Sequence, residues 1–470
     1  MTTKKLWILI ALVILLSACK MGPNYKRPEI PLPIDFRGAT PTSASKPEES
    51  IADTQWAELF GDETLTRLLS TALEHNFDLR MAAERVEQAR AQLGITRANM
   101  YPWLNAQAQS NATRQSTIGS IRFAPPGAKL DTAYTQIGAL LSWEVDVWGR
   151  LRRLTESAQA QYLASEEARR GVIVSLISDV TTAYFQLLEL ELELDISRRT
   201  RDVAEESLRI VKLRRDRGAA SSLDVHQAEQ LLYTATAQIE AIERSLAQTE
   251  NALSLLLGSP PTEQPRGRKL TEIPLPPEIP AGLPSALLER RPDIRQAEQN
   301  LIAANALIGA AKALYFPQIS LTGFAGGQSR ALADIATQPA RFLTFSGGAL
   351  LPIFRAGQIR NQVRLSEAQQ RELLLNYQRT IYNALREVSD SLIGYQRTRS
   401  QRQQQEELVR ALSESVRLST LRYQGGLDSY LQVLDAQRNL FAGELVLAQL
   451  SLLERLSVVQ LYRALGGGWQ

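Results

Sequence analysis

Few side chains in this 470-residue chain could do chemistry, and they stand at its start and at its turns. Cys19 is the only cysteine. It follows Leu16-Ser17-Ala18, behind a basic start at Lys4 and Lys5 and an apolar run from Leu6 to Leu16. That run is too short to cross a bilayer, so residues 1–18 read as a cleaved signal peptide. Small residues before a cysteine form a lipobox, which makes Cys19 a thiol acceptor for acyl chains. The plainer alternative is an ordinary secretory signal that happens to contain a cysteine. Each buried CH₂ of an acyl chain contributes about 0.8 kcal/mol, so several chains anchor firmly. With one cysteine, no disulfide can form within the chain.

The remaining candidates argue against catalysis. His75 and His226 are the only histidines, both in helical sequence, and no pair has metal-ligand spacing. No nucleophile and base can be assembled, and no glycine loop suited to nucleotide phosphates is present, so no cofactor is expected. Of the 53 basic residues two lie in the signal, leaving 51 against 50 acidic ones. That balance offers no basic excess for nucleic acid.

Carboxylates, arginines and glycines instead gather at two turns. They are Arg214 to Val225, with Gly218 and Asp224, and Arg422 to Asp435, with Tyr423, Gly425, Gly426, Asp428 and Leu431. Glycines after a long helix suit a tight reversal, and Asp224 also suits a plain helix start.

These turns are placed by a duplicated half-molecule. A slide of 208 residues lays Gly149 on Gly357, Gly218 on Gly426 and Gly258 on Gly466, and a slide of 215 pairs Asp78 with Asp293 and Pro102 with Pro317. The copies read as 61–258 and 287–466, joined by a linker over 259–286 and followed by a tail over 467–470. A Pro- and Ser-rich segment over 19–60 reads as a tether. Helical periodicity runs from Asp62 to Asn99, from about 151 to 215 and from 223 to 257. It recurs over about 285–314, 359–423 and 430–465. The long helices would reach roughly 90 Å each. Ile173, Ile177, Val180, Tyr184 and Leu187 form a narrow heptad seam, repeated by Ile381, Leu385, Val388, Leu392 and Tyr395.

Between the helices the period changes to two. Ala139, Leu141, Trp143, Val145 and Val147 alternate with mostly polar neighbours, and Leu343 to Ile353 repeat the pattern. With partners starting at Pro102 and Pro317, this gives four strands per chain, each long enough to span a bilayer at a tilt. After the signal no run of 18 apolar residues remains, so a crossing must be made by strands. Four strands cannot close a barrel, and an open edge in lipid leaves backbone groups unpaired. Closure therefore calls for several copies, and three would supply about 12 strands. The alternative is a soluble hairpin capping a helical bundle.

The motifs Gly22-Pro23-Asn24-Tyr25-Lys26-Arg27-Pro28, Trp143 to Arg150, Arg290-Arg291-Pro292-Asp293-Ile294, Phe316 to Leu321 and Leu465 to Trp469 resemble the TolC-type outer-membrane factor family, in its lipoprotein (OprM/NodT-like) branch. They span nearly the whole mature chain. The resemblance implies a mainly α fold with a small β part: a homotrimer with a long α-helical barrel joined to a shared 12-stranded transmembrane β-barrel. It implies an outer-membrane, lipid-anchored exit duct of a tripartite efflux system. A periplasmic adaptor would dock on a tip containing Gly218, Gly425 and Gly426. An inner-membrane pump of the resistance-nodulation-division type would supply energy. Lys20, where an aspartate would retain a lipoprotein in the inner membrane, agrees with the outer membrane. Leu431 and Asp435 would ring the constriction, with Gln432 replacing a second aspartate, while Asp224, Arg422 and Tyr423 would latch neighbouring coils. Asp428 replaces an arginine of a relative, so the latch must differ. Type I protein secretion, metal-cation efflux and a non-channel coiled-coil scaffold are the alternatives.

Overall fold

The computed structural model describes residues 20–38, 60–114, 116, 131–274 and 284–467. The signal segment and Cys19 lie outside them. In order, the elements are α1 (Glu63–His75), α2 (Phe77–Ala98), β1 (Trp103–Arg114), β2 (Asp131–Val145), α3 (Arg150–Asp216) and α4 (Ser222–Leu256). There follow α5 (Leu287–Arg290), α6 (Pro292–Ala313), β3 (Gln318–Ser329), β4 (Arg341–Leu350), α7 (Gln358–Gln424) and α8 (Tyr430–Ala464). The duplication is visible in the lengths: α3 and α7 have 67 residues each, α4 and α8 have 35 each. At about 1.5 Å per residue the long helices run roughly 100 Å.

The first compact unit comprises residues up to 28, 86–164 and 297–377. Its sheet is a four-stranded antiparallel meander in the order β1-β2-β3-β4. β1 and β4 each have one edge unpaired in this sheet. The alternating pattern of the sequence overshoots at both strand ends. β2 stops at Val145, because Asp146 caps α3 by accepting from the backbone N–H groups of Leu151 and Arg152 at 3.0 and 2.9 Å. β4 stops at Leu350, ahead of Pro352, which has no N–H for a ladder, and Ile353 and Phe354 are left almost wholly exposed.

The motif from Trp143 to Arg150 is the hinge of this unit. Arg150 forks the Glu144 carboxylate at 2.9 and 2.6 Å, and the Trp148 indole donates to the Pro317 carbonyl at 2.8 Å and stacks on Phe316. Within this unit the N-terminal segment, read as a tether, is pinned to α3 and α6. Arg153, 1 % exposed, donates to the Met21 and Gly22 carbonyls and to Asn24. Arg27 forks Glu298 with two bonds of 2.7 Å.

The second unit comprises 29–85, 165–296 and 378–470. Here α7 keeps the narrow seam, with Ile381, Val388, Leu392 and Tyr395 buried and Leu385 half-buried. The matching stretch of α3 is broader than a seam: Val174, Leu176, Phe185 and Leu188 are buried beside Ile177, Val180, Tyr184 and Leu187. α3 and α8 carry stretches long and apolar enough to cross a membrane, but these face the protein's own core over half or more of their length.

The helix expected from Asp62 to Asn99 is broken at Asn76, and the one expected over 285–314 at Arg291, 215 residues on. Asn76 accepts from the Leu79 N–H at 2.9 Å, so it starts α2, and it donates to the Leu256 carbonyl at 2.9 Å. Arg291 precedes Pro292, which forces an extended backbone, and donates to the Ala464 carbonyl at 2.8 Å. Two different side chains thus cap the last carbonyl of the returning helix at equivalent positions.

Candidate functional site

Each hairpin tip is built by the same backbone device. Gly218 and Gly426 both have φ of +75°. The Gly218 N–H donates to the Arg215 carbonyl at 2.8 Å and Ala219 to Arg214 at 2.7 Å, and Gly426 and Leu427 repeat the pair onto Tyr423 and Arg422. This Schellman pattern satisfies the carbonyls at the helix end and reverses the chain. Gly425 stands before the reversal, donating to the Leu421 carbonyl at 3.0 Å.

Below the turns, three helices share one apolar cluster: Leu208 and Val211 from α3, Val225 and Leu231 from α4, and Tyr430, Val433 and Leu434 from α8. Tyr423 packs on its edge, 5.5 Å from the Tyr430 ring. Burial first, and the Tyr423 hydroxyl second, push the Tyr430 hydroxyl up to about 12. The cluster packs the first hairpin against the root of the second.

The gate residues divide into two groups. Leu431 is 49 % exposed and lies one turn before Asp435, also exposed, on the same face of α8. Asp435 accepts from Asn439 at 3.2 Å. An apolar and an acidic residue are therefore presented together, one turn apart. Asp224 serves its own helix: its carboxylate accepts from the Ser221 N–H at 2.8 Å and from the Ser221 hydroxyl at 2.9 Å, while its N–H donates back to that hydroxyl at 3.2 Å. This is a capping box, with aspartate in the place of the usual glutamate.

Arg422 forks Asp428 across its own turn at 2.6 and 3.1 Å. Those bonds hold the Asp428 carboxyl below its usual range. Within the chain, then, Asp224 does not reach Tyr423. The hydroxyl of Tyr423 is buried without a hydrogen-bond partner.

Sequence reasoning passed over the residue that does reach Tyr423. Arg214 lies 4.5 Å above its ring and donates to its carbonyl at 3.3 Å. The signal was available in the repeat. Arg214 is the partner of Arg422 under the 208 slide, but the partner of Asp428 is Ala220. Having no acid across its own turn, Arg214 turns to the other hairpin.

The profile of the outer membrane efflux protein family matches residues 68–259 and 283–467, so it takes in both hairpins and all four strands. The chain belongs to that family. This outer membrane efflux protein is 40 % identical over 461 residues to the solvent efflux pump outer membrane protein SrpC of Pseudomonas putida, covering 97 % of each chain. It is 34 % identical to the cation efflux system protein CusC of Escherichia coli, again over 97 % of each. Its fold is similar to the open-state crystal structure of the MtrE outer membrane channel of Neisseria gonorrhoeae. There the TM-score is 0.84 at 31 % identity, covering 96 % of this chain and 99 % of that one. Its place is the outer membrane, and its architecture, mainly helical with a small sheet, is that of the TolC-type channels.

Proposed function

We propose that this outer membrane efflux protein is the passive exit duct of a tripartite pump, working as a lipid-anchored homotrimer. Cys19 carries the acyl chains, three sheets close one barrel, and transport is passive, without catalysis or cofactor. A periplasmic adaptor docks at the tip around Gly218, Gly425 and Gly426, and a resistance-nodulation-division pump in the inner membrane supplies the energy. The observation that carries this reading is the match to the family over nearly all of both repeats, with an edge-open sheet in the same chain.

The exit is shut by Leu431 and Asp435 from each copy. Carboxylates brought around one axis repel one another, so closure needs attractive contacts elsewhere at the tip. Tyr423 and Asp224 supply them, with Arg422 steadying the turn through Asp428. Docking spreads the coils and widens the bore. In planar bilayers, replacing Asp224 and Tyr423 together by Ala is expected to raise single-channel conductance. Unchanged conductance would remove both from the gate.

The cargo is small toxic organic molecules, in keeping with the similarity to a solvent-pump component. The similarity to CusC favours metal cations as a second reading. A deletion strain challenged with organic solvents and dyes, and separately with metal salts, decides between them by which challenge stops growth.

A further inference from the structure

One face of the sheet is polar, and two phenylalanines interrupt it. That face carries the odd residues of β1 and the even residues of β2, β3 and β4, which the register brings into common rows. The opposite face carries Leu141, Trp143, Leu343 and Phe345. Among the described strand residues the polar face holds a single charged one, Glu144, which Arg150 forks at the helix end of β2. Amides and hydroxyls make up most of the rest. Gln107 donates to Gln109 at 3.1 Å, Gln109 to Asn111 at 3.1 Å, and Gln136 to Gln328 at 3.3 Å.

Phe324 and Phe342 depart from that pattern. Their rings lie 6.0 Å apart at 48°, both are half-buried, and Leu140 stands directly opposite Phe324. Beside them the sheet is bare. Gly138 is paired with Gly326, and Gly326 with Phe342. An added Cβ on Gly138 would lie 2.7 Å from the Gly326 Cα, and one on Gly326 2.6 Å from the Gly138 Cα, so the two strands meet too closely there for any other residue. One row further along, Gln136 and Gln328 are paired through their amides. A bare backbone floor therefore lies between an apolar wall, Phe324, Phe342 and Leu140, and an amide wall, Gln136 and Gln328.

We propose that this floor and its walls form a transit subsite for uncharged planar aromatic molecules, packed on Phe324 and Phe342 with a polar group toward Gln136 and Gln328. The proposal rests on the duct reading above, in which the polar face lines the passage. Interiors of membrane barrels are ordinarily polar, so two rings there offer an apolar cargo a contact that the rest of the face lacks. Phenyl rings attract a further ring in offset or edge geometry, and a face without free charge gives no advantage to an ion. Such a site holds cargo weakly, because conduction requires release.

The test is planar-bilayer recording of the full-length mature chain with 1-naphthol in both chambers, and with decahydro-1-naphthol as the saturated control. A saturable fall in channel current is expected with 1-naphthol and little with the control. Phe324→Leu and Phe342→Leu each keep an apolar strand residue but remove a ring, and each should weaken the block by roughly three- to tenfold, the worth of one ring–ring contact. Phe342→Tyr, which keeps the ring, should retain the block, and all three variants should match the parent in unblocked conductance. Current without block in the parent, equal block by the saturated alcohol, or block unchanged in both Leu variants would overturn the subsite and leave the duct reading standing. No current from the parent would instead overturn the duct reading, and the subsite with it.

Discussion

Glu189 and Glu193 sit one turn apart on α3, each 6 % exposed and hydrogen-bonded to one another, with Gln449 of α8 donating to Glu193 at 3.2 Å. Burial, then the charge and hydrogen bond of Glu193, pushes the Glu189 carboxyl up to about 8. An acid whose folded value is raised costs stability as pH rises. Between roughly pH 4.5, where the unfolded chain ionises, and about 8 the folded chain holds the extra proton, so stability falls with pH across that window. The penalty is absent below it and complete above it. Glu189→Gln should therefore flatten the dependence, leaving stability little changed at pH 5 and raised by about 1–3 kcal/mol at pH 8.5. Melting of both proteins across that range checks it. An unaltered slope would place the proton elsewhere.

At the scale of elements, identical backbone turns differ in what surrounds them. Gly218 has φ of +75° with nothing within 4 Å of an added Cβ, whereas Gly258 has φ of +72° and its Cβ would lie 2.3 Å from the His75 carbonyl oxygen. Gly218→Ala should cost only backbone strain, about 1–2 kcal/mol. Gly258→Ala should cost clearly more, because the end of α4 must leave the break at Asn76. Thermal melts of the two variants compare them directly, and equal losses would contradict the packing argument. The same contrast explains what could be read in advance. The seam on α7, the four strands and both tip glycines follow local rules of period and φ. The break at Asn76 does not, since apolar periodicity continues through it and its cause is a carbonyl 180 residues away. Likewise Arg214 looks like a surface arginine in sequence, and only the acid that its own turn lacks marks it out.

For the whole molecule, what governs is the unfinished sheet. Each strand is bonded to its neighbour in order, yet β1 and β4 present free edges, and Leu343 and Phe345 of β4 are 79 % and 69 % exposed. In lipid an unpaired edge is costly, and the proposed trimer is the arrangement that pairs these edges with those of other copies. In the proposed trimer, repeat symmetry within the chain becomes pseudo-symmetry of the assembly. Tip gating, adaptor docking and export all presuppose that closure. Native mass spectrometry of the detergent-purified protein weighs it most directly. Three copies in one particle is the expected result, and a folded single copy would contradict the account.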